Sequence, residues 1–301
     1  MDKFLKVCLT IASISIILGI IIVAGVALSG NGREVIDVME NGGVYWGENG
    51  FTVGDSMVFD GDWDVEITEA NGKEFVYSAD EFDNLDLELG AGIFVITEAD
   101  VDEITVRSTK DVKVSTGGNT LSVETPKRVH VVNVGSKDIQ RVEITLPKGQ
   151  EFHTIDLCVG AGELVADTIV AEKLKLELGA GTTTITNCLC ETADISVAAG
   201  EVTIANGTVE NLDLDVAMGE LQFAGSVMDE LDADCGMGDM RIELPGESSD
   251  YNYTVDCGMG DIEVGDSSFG GVASSKKVDN DAEIDLDLDC GMGKIEVAFN
   301  R

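Results

Sequence analysis

From residue 85 onward, apolar and polar positions alternate in short runs that break at small residues and glycine. In "LDLDVAMGELQF" (212–223), Leu212, Leu214 and Val216 alternate with aspartates, and Leu221 and Phe223 resume the alternation one place out of phase after Gly219. A period of two predicts β-strands, and a phase shift at glycine predicts a corner between two of them. The same template fits "LDLELGAGIFVI", "LKLELGAGTTTI", "ADISVAAGEVTI", "LDADCGMGDMRI" and "LDLDCGMGKIEV". The glycines that close these corners, Gly162, Gly181, Gly200, Gly219 and Gly238, are 19 residues apart four times running; Gly260 and Gly293 follow after 22 and 33, and Gly92 stands 70 upstream. A fixed short period is the mark of a solenoid, in which a coil buries its apolar face only by stacking on its neighbours. The expected fold is all-β: a single-stranded parallel β-solenoid of about 19-residue coils, with rungs about 4.8 Å apart.

Two columns flank each corner. Three residues before the anchors stand Leu89, Val159, Leu178, Val197, Val216, Cys235, Cys257 and Cys290; one before stand Ala91, Ala161, Ala180, Ala199, Met218, Met237, Met259 and Met292. Where the first column shrinks to cysteine, the second grows to methionine, so both columns are expected to face the core and trade volume. The thrice-repeated Asp-Cys-Gly-Met-Gly also admits a soft-metal reading, Cu(I) on thiolates and thioethers. A disulfide between stacked rungs is a third reading. Core filling accounts for all eight coils, the metal for three or four. Cys158, Cys188 and Cys190 lie off this column, so no disulfide framework emerges.

The outward positions carry two adjacent ladders: six before the anchors stand Asp86, Asp156, Lys175, Asp194, Asp213, Asp232, Thr254 and Asp287, and four before stand Glu88, Cys158, Glu177, Ser196, Asp215, Asp234, Asp256 and Asp289. One reading is a solvated acidic face. The sharper one is a surface for cations or a basic partner, with Asp213, Asp215, Asp232, Asp234, Asp256 and Asp289 as weak candidates for Ca²⁺ or Mg²⁺, which take oxygen ligands. No calcium nonapeptide is present, and no dedicated cofactor is implied.

The N-terminus is a separate unit. Lys3 and Lys6 precede twenty-two uncharged residues, 7–28, and Glu34 and Asp37 follow. That length spans a hydrocarbon core of about 30 Å, and the positive-inside rule places the N-terminus in the cytoplasm and residues 31–301 outside a single-pass cell membrane. A cleaved signal peptide, with "ALSG" (27–30) as the cleavage site, is the rival reading. The expected organisation is an N-terminal transmembrane anchor over 1–30, a membrane-proximal β-rich cap over 31–84 carrying Trp46 and Trp63, and the solenoid over 85–301. Between Gly92 and Gly162, "EITVRS", "VKVS", "LSVET", "VHVVNV" and "RVEITLPKG" read as strands of less regular coils, and 265–282 reads as a mobile polar insertion between the last two.

Charge narrows the partners. Against 57 acidic residues stand 19 Lys and Arg, a net charge of −38, which argues strongly against nucleic acid as a partner and disfavours anionic lipid surfaces. Disorder is not implied, because 44% of residues are hydrophobic and they alternate.

The repeated L-x-L-x-[LVC]-G-[AM]-G pattern, the stretch "VEITLPKG" (142–149) and the single N-terminal apolar segment together resemble the bacterial "putative adhesin" β-strand-repeat family of unknown function, akin to the toastrack domains. The resemblance covers roughly residues 80–301 and implies a membrane-anchored repeat domain with envelope-stress or cell-surface roles. It offers no catalytic residues, and the Cys/Met coils depart from its commoner pattern. The residues themselves show no readable catalytic constellation: His130 and His153 are the two histidines, and carboxylates are too abundant for any pair to stand out as an acid/base dyad. The expected function is therefore a non-enzymatic structural or adhesin-like interaction module at the cell envelope, with an unknown protein partner, a basic one among the options. Envelope-stress sensing is the alternative, and a polysaccharide-acting β-helix enzyme ranks below both.

Overall fold

The computed structural model describes residues 72–125, 140–270 and 273–300, and the backbone pairing of 44–47 with 50–53. The apolar segment 7–28, Trp63, "VHVVNV" and His130 lie outside the described residues, and among those described no helix is long and apolar enough to cross a membrane. The chain divides into two compact units, Met1–Asp64 and Val65–Arg301. In the first, β1 (Val44–Gly47) and β2 (Gly50–Val53) form an antiparallel hairpin.

The second unit is an all-β open sheet wound into stacked coils. β3 (Lys73–Ser78), β4 (Asn84–Ala99), β5 (Glu103–Ser108), β6 (Lys113–Gly117), β7 (Thr120–Glu124) and β8 (Arg141–Pro147) lead into β9 (Phe152–Val216), whose extended backbone runs unbroken through three corners. Next come β10 (Glu220–Cys235), β11 (Asp239–Pro245), β12 (Tyr251–Cys257), β13 (Asp261–Val264), β14 (Ser267–Ser268), β15 (Ser274–Val278), β16 (Ile284–Cys290) and β17 (Lys294–Asn300). Each coil contributes one strand to a first wall and, past its corner, one to a second. The pairing of β10 on β9 is parallel with a 19-residue offset on both walls, Leu231↔Leu212 on the first and Leu221↔Val202 on the second, as the repeat predicts. Alternate side chains fill the interior: Leu212, Leu214, Val216, Leu221 and Phe223 are all buried.

The glycine corners dictate this stacking. A Cβ on Gly162 would lie 2.0 Å from the carbonyl oxygen of Gly92, one on Gly181 2.0 Å from that of Gly162, and one on Gly238 2.3 Å from that of Gly219. At Gly162 and Gly181 φ is also positive (127° and 112°), but at Gly238 close contact, without a positive φ, demands glycine.

Sequence order and spatial order part company at both ends. The last coil in the chain, β16–β17, inserts between β10–β11 and β12–β13, with Cys235↔Cys290 and Cys257↔Cys290 in register. At the other end β4 lies between β7–β8 and β9. The segment 265–282, read from sequence as a mobile insertion, instead holds β14 and β15, which add antiparallel to β13 and β12. Likewise the stretch before β9 is not simply further coils: β6 adds antiparallel to β7, and β3–β5–β8 is an antiparallel run. These additions put short or lysine-bearing strands on the edges, Lys73 on β3, Lys113 on β6, Lys276 and Lys277 on β15, which blunts pairing with other chains. Aromatics close the ends: Tyr77 packs edge-on to Phe82, and Tyr253 on Phe269, beneath Lys276 Nζ at 5.3 Å from the Phe269 ring.

Gly238→Ala should therefore destabilise the fold by about 3 kcal/mol, since a methyl group must displace backbone on the neighbouring coil. Gly117→Ala, where nothing lies within 4 Å of the added carbon, should be neutral. Equal denaturation midpoints for the two variants would refute the close-packed corner.

Candidate functional site

The six aspartates singled out by sequence all lie on the outer face of the first wall. Asp213 and Asp232 are in register with each other and with Asp287; Asp215, Asp234, Asp289 and Asp256 form the adjacent row, in that spatial order. The sequence alone places Asp256 next to Asp234. The inserted last coil puts Asp289 between them, and the long 33-residue spacing to Gly293 is the one sign in the chain that something intervenes. Lys277, paired with Thr254, ends the Asp213 row, and no apolar period in 265–282 announces the strand that carries it. Among the described residues no three His, Cys, Asp or Glu side chains converge as a metal centre requires.

Beyond the first-wall pair Lys175–Glu177 (2.6 Å), the two walls differ in charge. On the outer face of the second wall, Arg241 pairs with Glu243 (3.0 Å) and Glu296 (3.5 Å), and Lys294 with Glu263 (3.0 Å) and Glu296 (3.1 Å). On the first wall, the strands 193–197, 212–216, 231–235, 284–290 and 251–257 contain no lysine or arginine. Crowding has a titration signature. Loss of water, then Asp289 and its other acidic neighbours, pushes Asp234 up to about 7, and its Oδ1 is buried without a hydrogen-bond partner. Asp213 is exposed, yet desolvation by the packed face, then Asp215 and Asp194, raises it to about 6; the same causes raise Asp215.

The corner columns resolve differently from expectation. The column three before the anchors is buried throughout, cysteines included. The side chains of Leu178, Val197, Val216, Cys235 and Cys290 each tuck beneath the anchor of the next coil in space. A Cβ on Gly238 would meet Val216 Cγ1 at 2.5 Å and one on Gly293 would meet Cys235 Sγ at 2.8 Å, so the thiol sulfur takes the place of a valine methyl. The thiols of Cys235 and Cys257 each donate to the carbonyl of their own corner glycine, Gly238 and Gly260, at 3.0 Å. The hydrogen bond shared with Cys235, and then burial, pushes the Cys290 thiol up; burial does the same to Cys257. The column one before the anchors, expected inside, is outside: Met218, Met237, Met259 and Met292 are 49%, 45%, 67% and 55% exposed. The inner volume of the corner is already taken by the stacked glycine backbones, so the residue before the anchor projects outward. Volume trading between the columns does not occur, and a site that joins a cysteine and a methionine of one corner is ruled out, because they project to opposite sides of the backbone. None of the six described cysteines forms a disulfide.

On the third side of the coils a groove of about 790 Å³ is lined by Asp83, His153, Glu172, Leu189, Glu191 and Met228 among others, and His153 Nδ1 pairs with Glu172 Oε2. Both partners are exposed, with 58% and 54% of their side chains accessible.

An open all-β sheet of repeated coils with glycine corners defines the class of domain. The chain belongs to the Toastrack DUF4097 family, whose sequence profile matches residues 82–288. Among solved structures, it is similar to a "putative cell adhesion protein" from Clostridium sporogenes (13% identity, 76% of this chain and 100% of that one, TM-score 0.35). It is also similar to "putative adhesins" from Bacteroides fragilis (13%, 75% and 96%, TM-score 0.40) and Parabacteroides merdae (13%, 76% and 97%, TM-score 0.38). No curated protein matches the sequence.

The raised carboxyls give stability a defined pH dependence. Asp213 and Asp234 are raised in the folded state above the ordinary 3.8, so the folded chain holds more protons than the unfolded one between that value and about 6 and 7 respectively. Their stabilising protonation is complete below pH 3.8 and is lost as pH rises through 6 and 7. The melting temperature should be higher at about pH 5 than at about pH 8. Asp234→Asn should raise it at the higher pH and flatten the profile; an unchanged profile in that variant would place the repulsion elsewhere.

Proposed function

We propose that this chain is a non-enzymatic, adhesin-like interaction module of the bacterial envelope, held to the membrane through residues 7–28 with residues 31–301 on the extracytoplasmic side, and that its acidic first wall receives a basic segment of a protein partner. The observation that carries this reading is the pair of in-register carboxylate rows on strands without a single lysine or arginine, beside a second wall whose charges are paired. A cationic segment laid across the rows relieves repulsion that the empty wall must bear, and charge complementarity of this kind speeds encounter and selects partners. Divalent cations offer the same relief, and Asp213, Asp215, Asp232, Asp234, Asp256 and Asp289 are the oxygens they would meet. The scattered carboxylates offer them an atmosphere and no convergent cage.

The test is thermal melting of the intact chain with oligolysine, with Ca²⁺ or Mg²⁺, and with sodium at matched ionic strength. Oligolysine should stabilise the chain well beyond sodium, because binding only the folded state must raise its stability, and the effect should fade as salt rises. Replacing Asp213, Asp215, Asp232 and Asp234 together with asparagine should remove it while leaving the fold intact. Oligolysine stabilisation that survives those four substitutions would refute the first wall as the binding face. A divalent effect larger than oligolysine's would replace the basic partner with a cation.

A further inference from the structure

The acidic wall does not account for the exposed methionines. Met218, Met237, Met292 and Met259 stand, in that spatial order, at the apices of four successive corners. The amide of Met237 donates to Ala217 O (2.8 Å), that of Met292 to Gly236 O (2.7 Å) and that of Met259 to Gly291 O (2.7 Å), so each apex is locked to the one before it at the spacing of a parallel ladder, about 4.8 Å. The preceding coils hold alanine at this place, Ala91, Ala161, Ala180 and Ala199. Packing does not require the larger side chain, since roughly half or more of each methionine faces solvent, whereas Met240, in the strand just past one of these corners, is 2% exposed.

The ridge is one residue wide: Asp215, Asp234, Asp289 and Asp256 precede the methionines, and Glu220, Asp239, Lys294 and Asp261 follow them, with the Lys294 ammonium held by Glu263 (3.0 Å) and Glu296 (3.1 Å). An apolar partner gains little on so narrow a strip between carboxylates. A cation gains from both: the carboxylate rows concentrate it, and thioether sulfur selects the soft kind. Methionine has three rotatable side-chain bonds, which lets sulfurs on neighbouring coils close on one ion without moving the backbone. The buried thiols are not needed, as they lie on the other side of the corner.

We propose that the ridge Met218–Met237–Met292–Met259 is a binding site for a soft monovalent cation, Cu(I) or its analogue Ag(I), held by thioethers from adjacent coils. This is independent of the basic partner proposed for the acidic wall.

Silver(I) nitrate in chloride-free buffer is the probe, and the readout is the methyl resonances of the intact chain labelled with ¹³C-methyl methionine. To keep silver off the thiols, Cys235, Cys257 and Cys290 are replaced with valine, the residue this column carries at 159, 197 and 216, and Cys8, Cys158, Cys188 and Cys190 with alanine. Met228, a lone exposed methionine at 54%, and buried Met240 serve as internal references. The four ridge methyls should shift together, saturate at fewer than four equivalents, and do so at silver concentrations at least about tenfold below those that move Met228. Met240 should stay put. Met237→Leu and Met292→Leu together should drop Met218 and Met259 to the affinity of Met228, with the unmoved Met240 resonance reporting an intact fold. Ridge methyls that titrate alongside Met228, or that do not move, would overturn the site.

Discussion

Everything in this domain hangs on the contact between one corner glycine and the next. The carbonyl oxygen of each anchor occupies the space where the Cβ of the anchor stacked on it would be, and this holds from Gly92 through Gly162, Gly181, Gly200, Gly219 and Gly238 and on to Gly293 and Gly260. Because the stack closes on backbone, the residue three earlier tucks under the neighbouring anchor and must be branched or small, which valine and cysteine satisfy. The residue immediately before the anchor has no inner space and must face out. Buried cysteine and exposed methionine are thus two consequences of a single steric rule, and they become chemically separate groups although they are two residues apart.

The same rule explains how the ends are managed. A stack of identical coils would finish in a bare coil whose apolar interior and unpaired backbone groups face water. Here the last coil of the chain turns back inside the penultimate one, and β14 and β15 cover what remains outermost. Since the glycine column runs through Gly238–Gly293–Gly260 without a break in contact, the insertion costs nothing at the corners. Irregular, lysine-bearing antiparallel strands then end both stacks, where regular strands would invite further addition.

Much of this was legible in the chain because period-two alternation and a 19-residue glycine repeat are enforced by packing. Leu212, Leu214 and Val216 face inward and Asp213 and Asp215 outward, as their parity requires. Topology was not legible, because parity is blind to order: the coil at 284–300 fits equally well on the coil at 251–264 in either sequence, and only the contact Cys235↔Cys290 shows where it goes. Lys277 was hidden for the same reason, since a polar segment edging a sheet has no apolar period to announce it. The methionines were misplaced by continuing alternation through the corner, where the backbone turns and parity no longer tells inside from outside. The acidic rows were found by parity, but their neighbours were not, so the proximity of Asp289 to Asp234 came from the structure alone.

What remains to be explained is why one wall is so acidic. Solubility does not require it. The second wall is built from the same coils on the same corners, and it meets water with Arg241 and Lys294 set among glutamates in bridges of 3.0–3.5 Å. Cross-strand pairs of that kind favour a sheet, whereas like charges in register disfavour it. The first wall keeps the disfavoured arrangement over four successive coils, to the point that Asp234 is pushed up to about 7. A fold that solves the surface problem favourably on one wall and unfavourably on the other is not limited by its scaffold. The carboxylate rows are therefore best understood as a retained surface, whose repulsion is the driving force available to whatever positive group comes to lie on it.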